Sequence, residues 1–458
     1  MSGRRSPHFR PVCRVHGVFM PPVLRYLTAL ALIAATLLAA TPAARAFPER
    51  QRPALVFELT SGRVLIARHA GQPWHPASLT KLMTGYLVLN AVARGELRWR
   101  QMVTVSKRAA AVVRAGIAGF GAKPGMKMTV RRMLANLLVR SDADMAVALA
   151  EAVAGSEAAF VRRMNTTARL LGMSATRFVN PHGLHDPAQV STARDMALLA
   201  MAIYRDHLKA NPANWRFFNS SHVGEGKRKR RNRNHLLFLM KGANGMKTGF
   251  LCAAGFNLVA SAERGGRIVA AVVMGRKSAL SRALYARTLL EAGFRRLAAR
   301  RFVSSHVRRL NNVARPAPDM SDICKRSQLQ IADFTGPQGW AAMLGPYKGL
   351  LRAEAALDAT LLLTGLDATA LPAGIARLPQ GGRAAAFLWD MTEAEAAAFC
   401  ARARRTGATC ATLAPPEFRR LATAIGKARA ERARKAAMRR KARARQRAAR
   451  KKAAEKKK

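Results

Sequence analysis

Ser78-Leu79-Thr80-Lys81, Ser141-Asp142-Ala143 and Lys247-Thr248-Gly249 occur in that order, separated by long stretches of unrelated sequence. Each segment carries chemistry only when the other two stand beside it. A fold that uses them must bring together residues far apart in the chain, which demands a large core and long-range pairing. With 458 residues, 50% of them hydrophobic, the chain has that core and room for two or three folded units.

Ser78 opens a nearly all-apolar stretch running to about residue 93, which reads as a buried helix. The spacing of three puts Lys81 one turn along on the same face. Burial disfavours a charged lysine, and the positive end of the helix dipole adds to that effect. A neutral amine beside a hydroxyl can take its proton, making Ser78 a nucleophile and Lys81 its general base. The plainer alternative is a capping serine with a snorkelling lysine.

Ser141 stands before an Ala-rich helical run over 145–154. Its hydroxyl either relays a proton to a leaving amine or, like that of Asp142, caps the helix. The segment 244–250 reads as an edge strand lining a cleft. There Lys247 offers charge to a substrate carboxylate, Thr248 a hydroxyl, and Gly249 close backbone approach. A surface turn is the alternative. Backbone N–H groups of Ser78 and Phe250 are candidates for an oxyanion hole. This chemistry requires no metal and no organic cofactor.

Hydrophobic patterning organises the rest. Strand character runs over 53–68 with a turn at Ser61-Gly62, and helices are expected over 133–154, 156–171 and 279–294. Strands 255–262 and 268–275 flank Glu263-Arg264-Gly265-Gly266 as a hairpin. Residues 47–302 form the expected catalytic unit and 303–338 a linker. Residues 339–415 then read strand, helix, strand, strand, helix, strand, with Thr392 and Glu395 as a capping box and Gly407 at the helix exit. In that βαββαβ reading Cys400 and Cys410 face each other across a core and are the expected disulfide. Cys252 and Cys324 stay unassigned, and four unpaired thiols are the alternative.

The two termini speak to location. Arg25, an apolar run over 26–40 and Ala44-Arg45-Ala46 form a signal-peptide layout over residues 1–46. The run is short of the about 20 residues a membrane span needs, although an uncleaved anchor stays open. The formal charge of +54 is extreme, and the Ala/Arg/Lys-rich tail, 416–458, is its densest basic run and is expected to be disordered or helical. Without a wide apolar face, such a tail suits an anionic membrane surface rather than insertion. Export argues against nucleic acid as its partner.

Several further segments carry a resemblance. Pro76-Ala77-Ser78-Leu79-Thr80-Lys81-Leu82-Met83-Thr84, Phe178-Val179-Asn180-Pro181-His182-Gly183-Leu184, Ser191-Thr192-Ala193-Arg194-Asp195, Gly245-Met246-Lys247-Thr248-Gly249-Phe250 and Ala254-Gly255-Phe256-Asn257-Leu258-Val259-Ala260-Ser261-Ala262 resemble the low-molecular-weight D-alanyl-D-alanine carboxypeptidases. The resemblance implies an α+β, β-lactamase-like catalytic domain, an antiparallel sheet with a helical cluster. It implies removal of the terminal D-alanine from peptidoglycan stem peptides, β-lactams as covalent inhibitors, and a periplasmic or envelope location. By position it makes Arg282 the group that recognises the terminal carboxylate, with packing as the alternative.

Three departures stand out. Ala143 replaces the family's asparagine, Leu251-Cys252 replaces a polar pair, and no β-rich second domain follows. Ala143 raises a second reading, a weakly active or inactive penicillin-binding homologue acting as a wall scaffold. A β-lactamase is a further rival, but no glutamate-bearing loop for fast deacylation is evident. Residues 340–347 with the helix around Glu354 resemble a sporulation-related repeat (SPOR) domain, which implies binding to denuded glycan strands. Trp340, Tyr347 and Trp389 are then candidate stacking faces, with core positions the alternative for the tryptophans.

Overall fold

A computed structural model describes residues 52–113, 118–224, 229–325, 334, 338–364, 371–379, 381 and 383–455. The expected signal peptide and Cys13 lie outside the described residues.

The alternation of small and branched apolar residues builds a central antiparallel sheet of five strands. These are β1 (Ala54–Glu58), β2 (Val64–Arg68), β3 (Ala243–Leu251), β4 (Gly255–Arg264) and β5 (Arg267–Arg276), in the order β2-β1-β5-β4-β3. Both faces are covered. Leu55, Phe57, Ala270, Val272 and Met274 point into the helical cluster, while Ala54, Val56, Val269, Ala271 and Val273 point to the other side. That is the period-two pattern of a strand, with both classes apolar because both faces are buried. The β4–β5 hairpin turns at Gly265 and Gly266, whose φ angles of 53° and 70° suit a two-residue turn matched to strand twist.

The helical cluster holds α1 (Lys81–Ala93), α2 (Val130–Ala135), α3 (Ala143–Ala154), α4 (Glu157–Leu170) and α5 (Ala193–Ile203). Every residue of α1 from Lys81 to Leu89 is buried, as its all-round apolarity requires. The continuous helix expected over 133–154 is broken. After α2 comes a π-turn, Asn136–Arg140, and then Ser141 in the left-handed region at φ 70°. Asp144 explains the break. Its carboxylate accepts N–H bonds from Phe120, Gly121 and Ala122, which anchors α3 to that loop instead of to α2. On the sheet's other face lies α6 (Ala279–Ala298).

The first half of the expected linker is not loose. Val303 N donates to Val64 O at 2.8 Å, Arg194 Nε to Leu310 O at 2.7 Å and Met320 N to Ala253 O at 3.0 Å. Cys324 is disulfide-bonded to Cys252. Residues 303–325 therefore strap the sheet and helical cluster together.

The C-terminal part has the element order βαββαβ: β6 (Trp340–Tyr347), α7 (Leu350–Thr364), β7 (Ala373–Arg377), β8 (Ala384–Met391), α8 (Glu393–Arg405) and β9 (Cys410–Leu413). Its sheet order is β7-β8-β6-β9, all antiparallel. Thr392 and Glu395 form the capping box, and Cys400 pairs with Cys410. Helices α7 and α8 cover one face of this sheet. The opening turns of α9 (Pro415–Glu455) cover the other, with Phe418 and Ile425 packed on Phe387 and Trp389. Ala355 and Ala359 of α7 bury against the apolar layer of α6, beside Arg276–Asp358 and Lys277–Glu354 ion pairs. Among the described residues no helix is long and apolar enough to cross a membrane.

Candidate active site

Ser78 sits in a tight 3-10 turn, Ala77–Thr80, that runs directly into α1. Ala77 adopts φ 50°, a strained conformation for a residue with a Cβ. Its surroundings hold it there. Asn257 Nδ2 donates to His75 O at 3.0 Å and Pro76 O at 3.3 Å, while its Oδ1 accepts from Gly275 N at 2.8 Å. Two glycines let other backbone close on the turn. A Cβ on Gly183, at φ 74°, would stand 2.1 Å from Ala77 O, and one on Gly249 would stand 2.8 Å from Pro76 O.

The spacing of three delivers what helix geometry promises: Lys81 Nζ lies 3.1 Å from Ser78 Oγ. The amine also donates to His182 O. Desolvation is the largest influence on it and pulls Lys81 down to about 7, aided by Arg233, while Asp142 and Asp144 push the other way. Burial wins that contest, so a large share of the amine is neutral near pH 7 and can accept a hydroxyl proton. Burial likewise lifts Asp142 to about 6.

Ser78, Lys81, Ser141, Thr248, Gly249, Phe250 and Arg282 all line one cleft of about 440 Å³. Ser141 Oγ is buried there without a hydrogen-bond partner, and Asp142, at the first cap position of α3, makes no capping bond. The capping alternative for this segment therefore fails. β3 is the edge strand expected from sequence. Phe250 stacks on Phe256 at 4.1 Å, and Arg282 stands 5.9 Å from the Phe256 ring.

Lys247 differs from expectation. It is buried behind the cleft wall, its Nζ donating to Thr248 O at 2.9 Å. Desolvation, then Lys81, Arg233 and Arg282, hold its pKa well below the usual lysine range. Arg233 and Arg282 line the cleft directly, whereas Lys247 does not. Burial lowers Arg282 to about 9, which still leaves it charged at neutral pH. Arg233, which sequence reasoning missed, lines the same cleft. Its only signal is its place in Asn232-Arg233-Asn234, two of whose members bond locally, and no spacing rule marks the arginine. Asn257 clamps the Ser78 turn, a role that no local pattern in the sequence marks. Among the described residues no cluster of His, Cys, Asp or Glu could hold a metal.

A family model described as peptidase S11, D-alanyl-D-alanine carboxypeptidase, matches residues 42–278, more than half of the chain. The chain belongs to this peptidase family. D-alanyl-D-alanine carboxypeptidase DacC of Escherichia coli (strain K12) is 37% identical over 270 residues, covering 58% of this chain and 66% of the relative. A D-alanyl-D-alanine carboxypeptidase of Streptomyces sp. (strain K15) is 30% identical over 288 residues, 96% of its own length. Among solved structures, penicillin binding protein 5 from Haemophilus influenzae matches with a TM-score of 0.51 and 34% identity, covering 54% of this chain and 71% of that one. The fold is thus the β-lactamase-like fold of the penicillin-binding DD-peptidases. The chain spans just under two thirds of the first enteric relatives, 66% and 61% of their lengths.

Proposed function

We propose that the protein is an exported serine-type D-Ala-D-Ala carboxypeptidase acting on peptidoglycan stem pentapeptides. The observation that carries this reading is the buried Lys81 amine, lowered to about 7 and 3.1 Å from Ser78 Oγ. Ser78 Oγ attacks the carbonyl carbon between the two D-alanines as its proton passes to Lys81. The tetrahedral intermediate expels the terminal D-alanine, whose amine receives a proton through Ser141, leaving an acyl-enzyme on Ser78. Water then releases the shortened peptide. Thr248 and Arg282 hold the terminal carboxylate, and Lys247 supports them from behind as a hydrogen-bonding amine. β-Lactams acylate the same serine. Incubating the pure protein with a pentapeptide muropeptide and fluorescent penicillin tests this, and failure to label Ser78 would overturn it.

Ala143 supports a second reading, a penicillin-binding scaffold with little turnover. It is buried on the cleft wall and brings no side-chain donor there. Penicillin labelling without D-alanine release would select that reading. The C-terminal part is proposed as a SPOR-like binder of denuded glycan through Trp340 and Tyr347, both half-buried. Trp389 is only 6% exposed and packs with Phe334 and Phe418, so it is not offered as a stacking face. The basic stretch of α9 is proposed to lie on anionic headgroups, with export directed by residues 1–46.

A further inference from the structure

The two disulfides lie in opposite environments. Cys400 and Cys410 are 0% and 7% exposed inside the C-terminal core. Cys252 and Cys324 are both exposed, and Cys252 lines the catalytic cleft. Cys252 stands in the turn between β3 and β4, just past Thr248 and Phe250. β3 is the edge of its sheet and pairs with β4 on one side. The turn is fastened at two levels. From within, Trp74 Nε1 donates to Ala254 O at 2.8 Å. From outside, the strap holds it through Met320 N, which donates to Ala253 O at 3.0 Å, and through the Cys252–Cys324 bond. The strap is itself anchored. Val313 N donates to Gly71 O at 3.0 Å, Asn312 Nδ2 donates to Asp195 Oδ1 at 3.1 Å, and Met320 is buried in the helical core. The disulfide therefore passes that anchorage to the end of the strand that brings Thr248 and Phe250 to Ser78.

We propose that Cys252–Cys324 is a thiol–disulfide exchange site whose oxidised form positions β3 for catalysis. Its reaction partner is a dithiol. A thiolate of that dithiol attacks one exposed sulfur, the sulfur–sulfur bond breaks, and the other cysteine leaves as a thiolate that takes up a proton. The second thiol of the reagent, as its thiolate, then displaces the first cysteine. Two electrons and two protons pass to this chain, which ends with two thiols, and the reagent ends as a disulfide. Cys400–Cys410 is shielded from the same attack by the core packed around it. With the exposed bond open, the turn keeps its hydrogen bonds but loses its covalent hold on the strap. The Phe250 N–H serves an oxyanion only within hydrogen-bond length, so a small shift of this strand end lowers the rate. That consequence rests on the peptidase reading, whereas the exchange itself does not.

The test treats the intact protein with reduced dithiothreitol, caps free thiols with iodoacetamide and locates them by mass spectrometry. Cys252 and Cys324 should be released at least about tenfold faster than Cys400 and Cys410. The same samples are assayed for D-alanine release from a pentapeptide and for penicillin acylation. Opening the bond is expected to lower kcat and the acylation rate about tenfold with little change in KM, and reoxidation should restore both. Cys252→Ser combined with Cys324→Ser should show the lowered kcat from the outset and no response to dithiothreitol. Circular dichroism in the assay buffer checks the fold of that variant, and should it not fold, the reversible loss in wild type decides. Reduction of Cys400–Cys410 first, full activity with the exposed bond open, or a loss confined to KM would overturn the proposal. If the oxidised protein releases no D-alanine and takes no penicillin while the exposed pair alone is reduced, the exchange site stands and the peptidase reading falls.

Discussion

Along the edge of the five-stranded sheet Lys81, Lys247 and Arg282 are all buried, and among the described residues none makes an ion pair. The four-stranded sheet beside it encloses apolar side chains, with Glu354 and Thr360 the buried polar residues among those described between 339 and 415. Both sheets are antiparallel, and a disulfide lies at each. The difference is energetic. Burying an unpaired cation costs several kcal/mol or forces it neutral, so such groups persist where their altered reactivity is used. Among the described residues the second sheet's core buries no lysine or arginine, and apolar packing holds it together.

Substitutions should separate the two regions. Lys81→Met is expected to lower D-alanine release and penicillin acylation about 10³-fold, because the proton acceptor is gone. Its urea midpoint at neutral pH should rise, because the desolvation cost of the amine is removed. A normal acylation rate would detach this lysine from the chemistry. Trp389→Ala should do the reverse, destabilising the C-terminal part by about 3 kcal/mol in urea unfolding while penicillin labelling is unchanged. Loss of labelling would mean that the second sheet supports the cleft. Asp358→Asn, which strips Arg276 of a buried partner, should also destabilise the chain, by about 2 kcal/mol, read as a lower urea midpoint.

Smaller effects sharpen the cleft. Ala143→Asn is expected to raise D-alanine release about tenfold by restoring a side-chain donor, measured on a pentapeptide. Equal activity would mean a neighbour already does that work, Arg233 being the candidate. The rate should also rise with pH through about 7, since only the neutral Lys81 amine accepts a proton. The linkage has the same sign. The folded value lies below the unfolded one, so stability attributable to this group is full above the unfolded lysine pKa and falls as pH drops towards 7. A rate profile flat between pH 5 and 9 would break the link between burial and function.

Much was legible beforehand because it rests on local rules. The hairpin at Gly265-Gly266, the edge strand carrying Lys247, the Thr392–Glu395 capping box and the Cys400–Cys410 pair follow from turn chemistry, alternation and short-range spacing. The helix break at Ser141 was not legible, because its cause is Asp144 bonding to a loop more than twenty residues away. The Cys252–Cys324 strap was missed for the same reason: its 72-residue separation carries no local signature. Arg233 is one arginine among many until the fold sets it in the cleft wall.

By itself the sequence determined the main strands of the central sheet, that Ser78 and Lys81 stand one turn apart, and which peptidase family the motifs belong to. Only the tertiary structure decided which way burial shifts Lys81 and Lys247, and the partners of Cys252 and Asp144. Periodicity and capping act between neighbours in the chain and can be read along it. Desolvation and Coulomb forces act through space, and their balance exists only once distant segments have closed around one cleft.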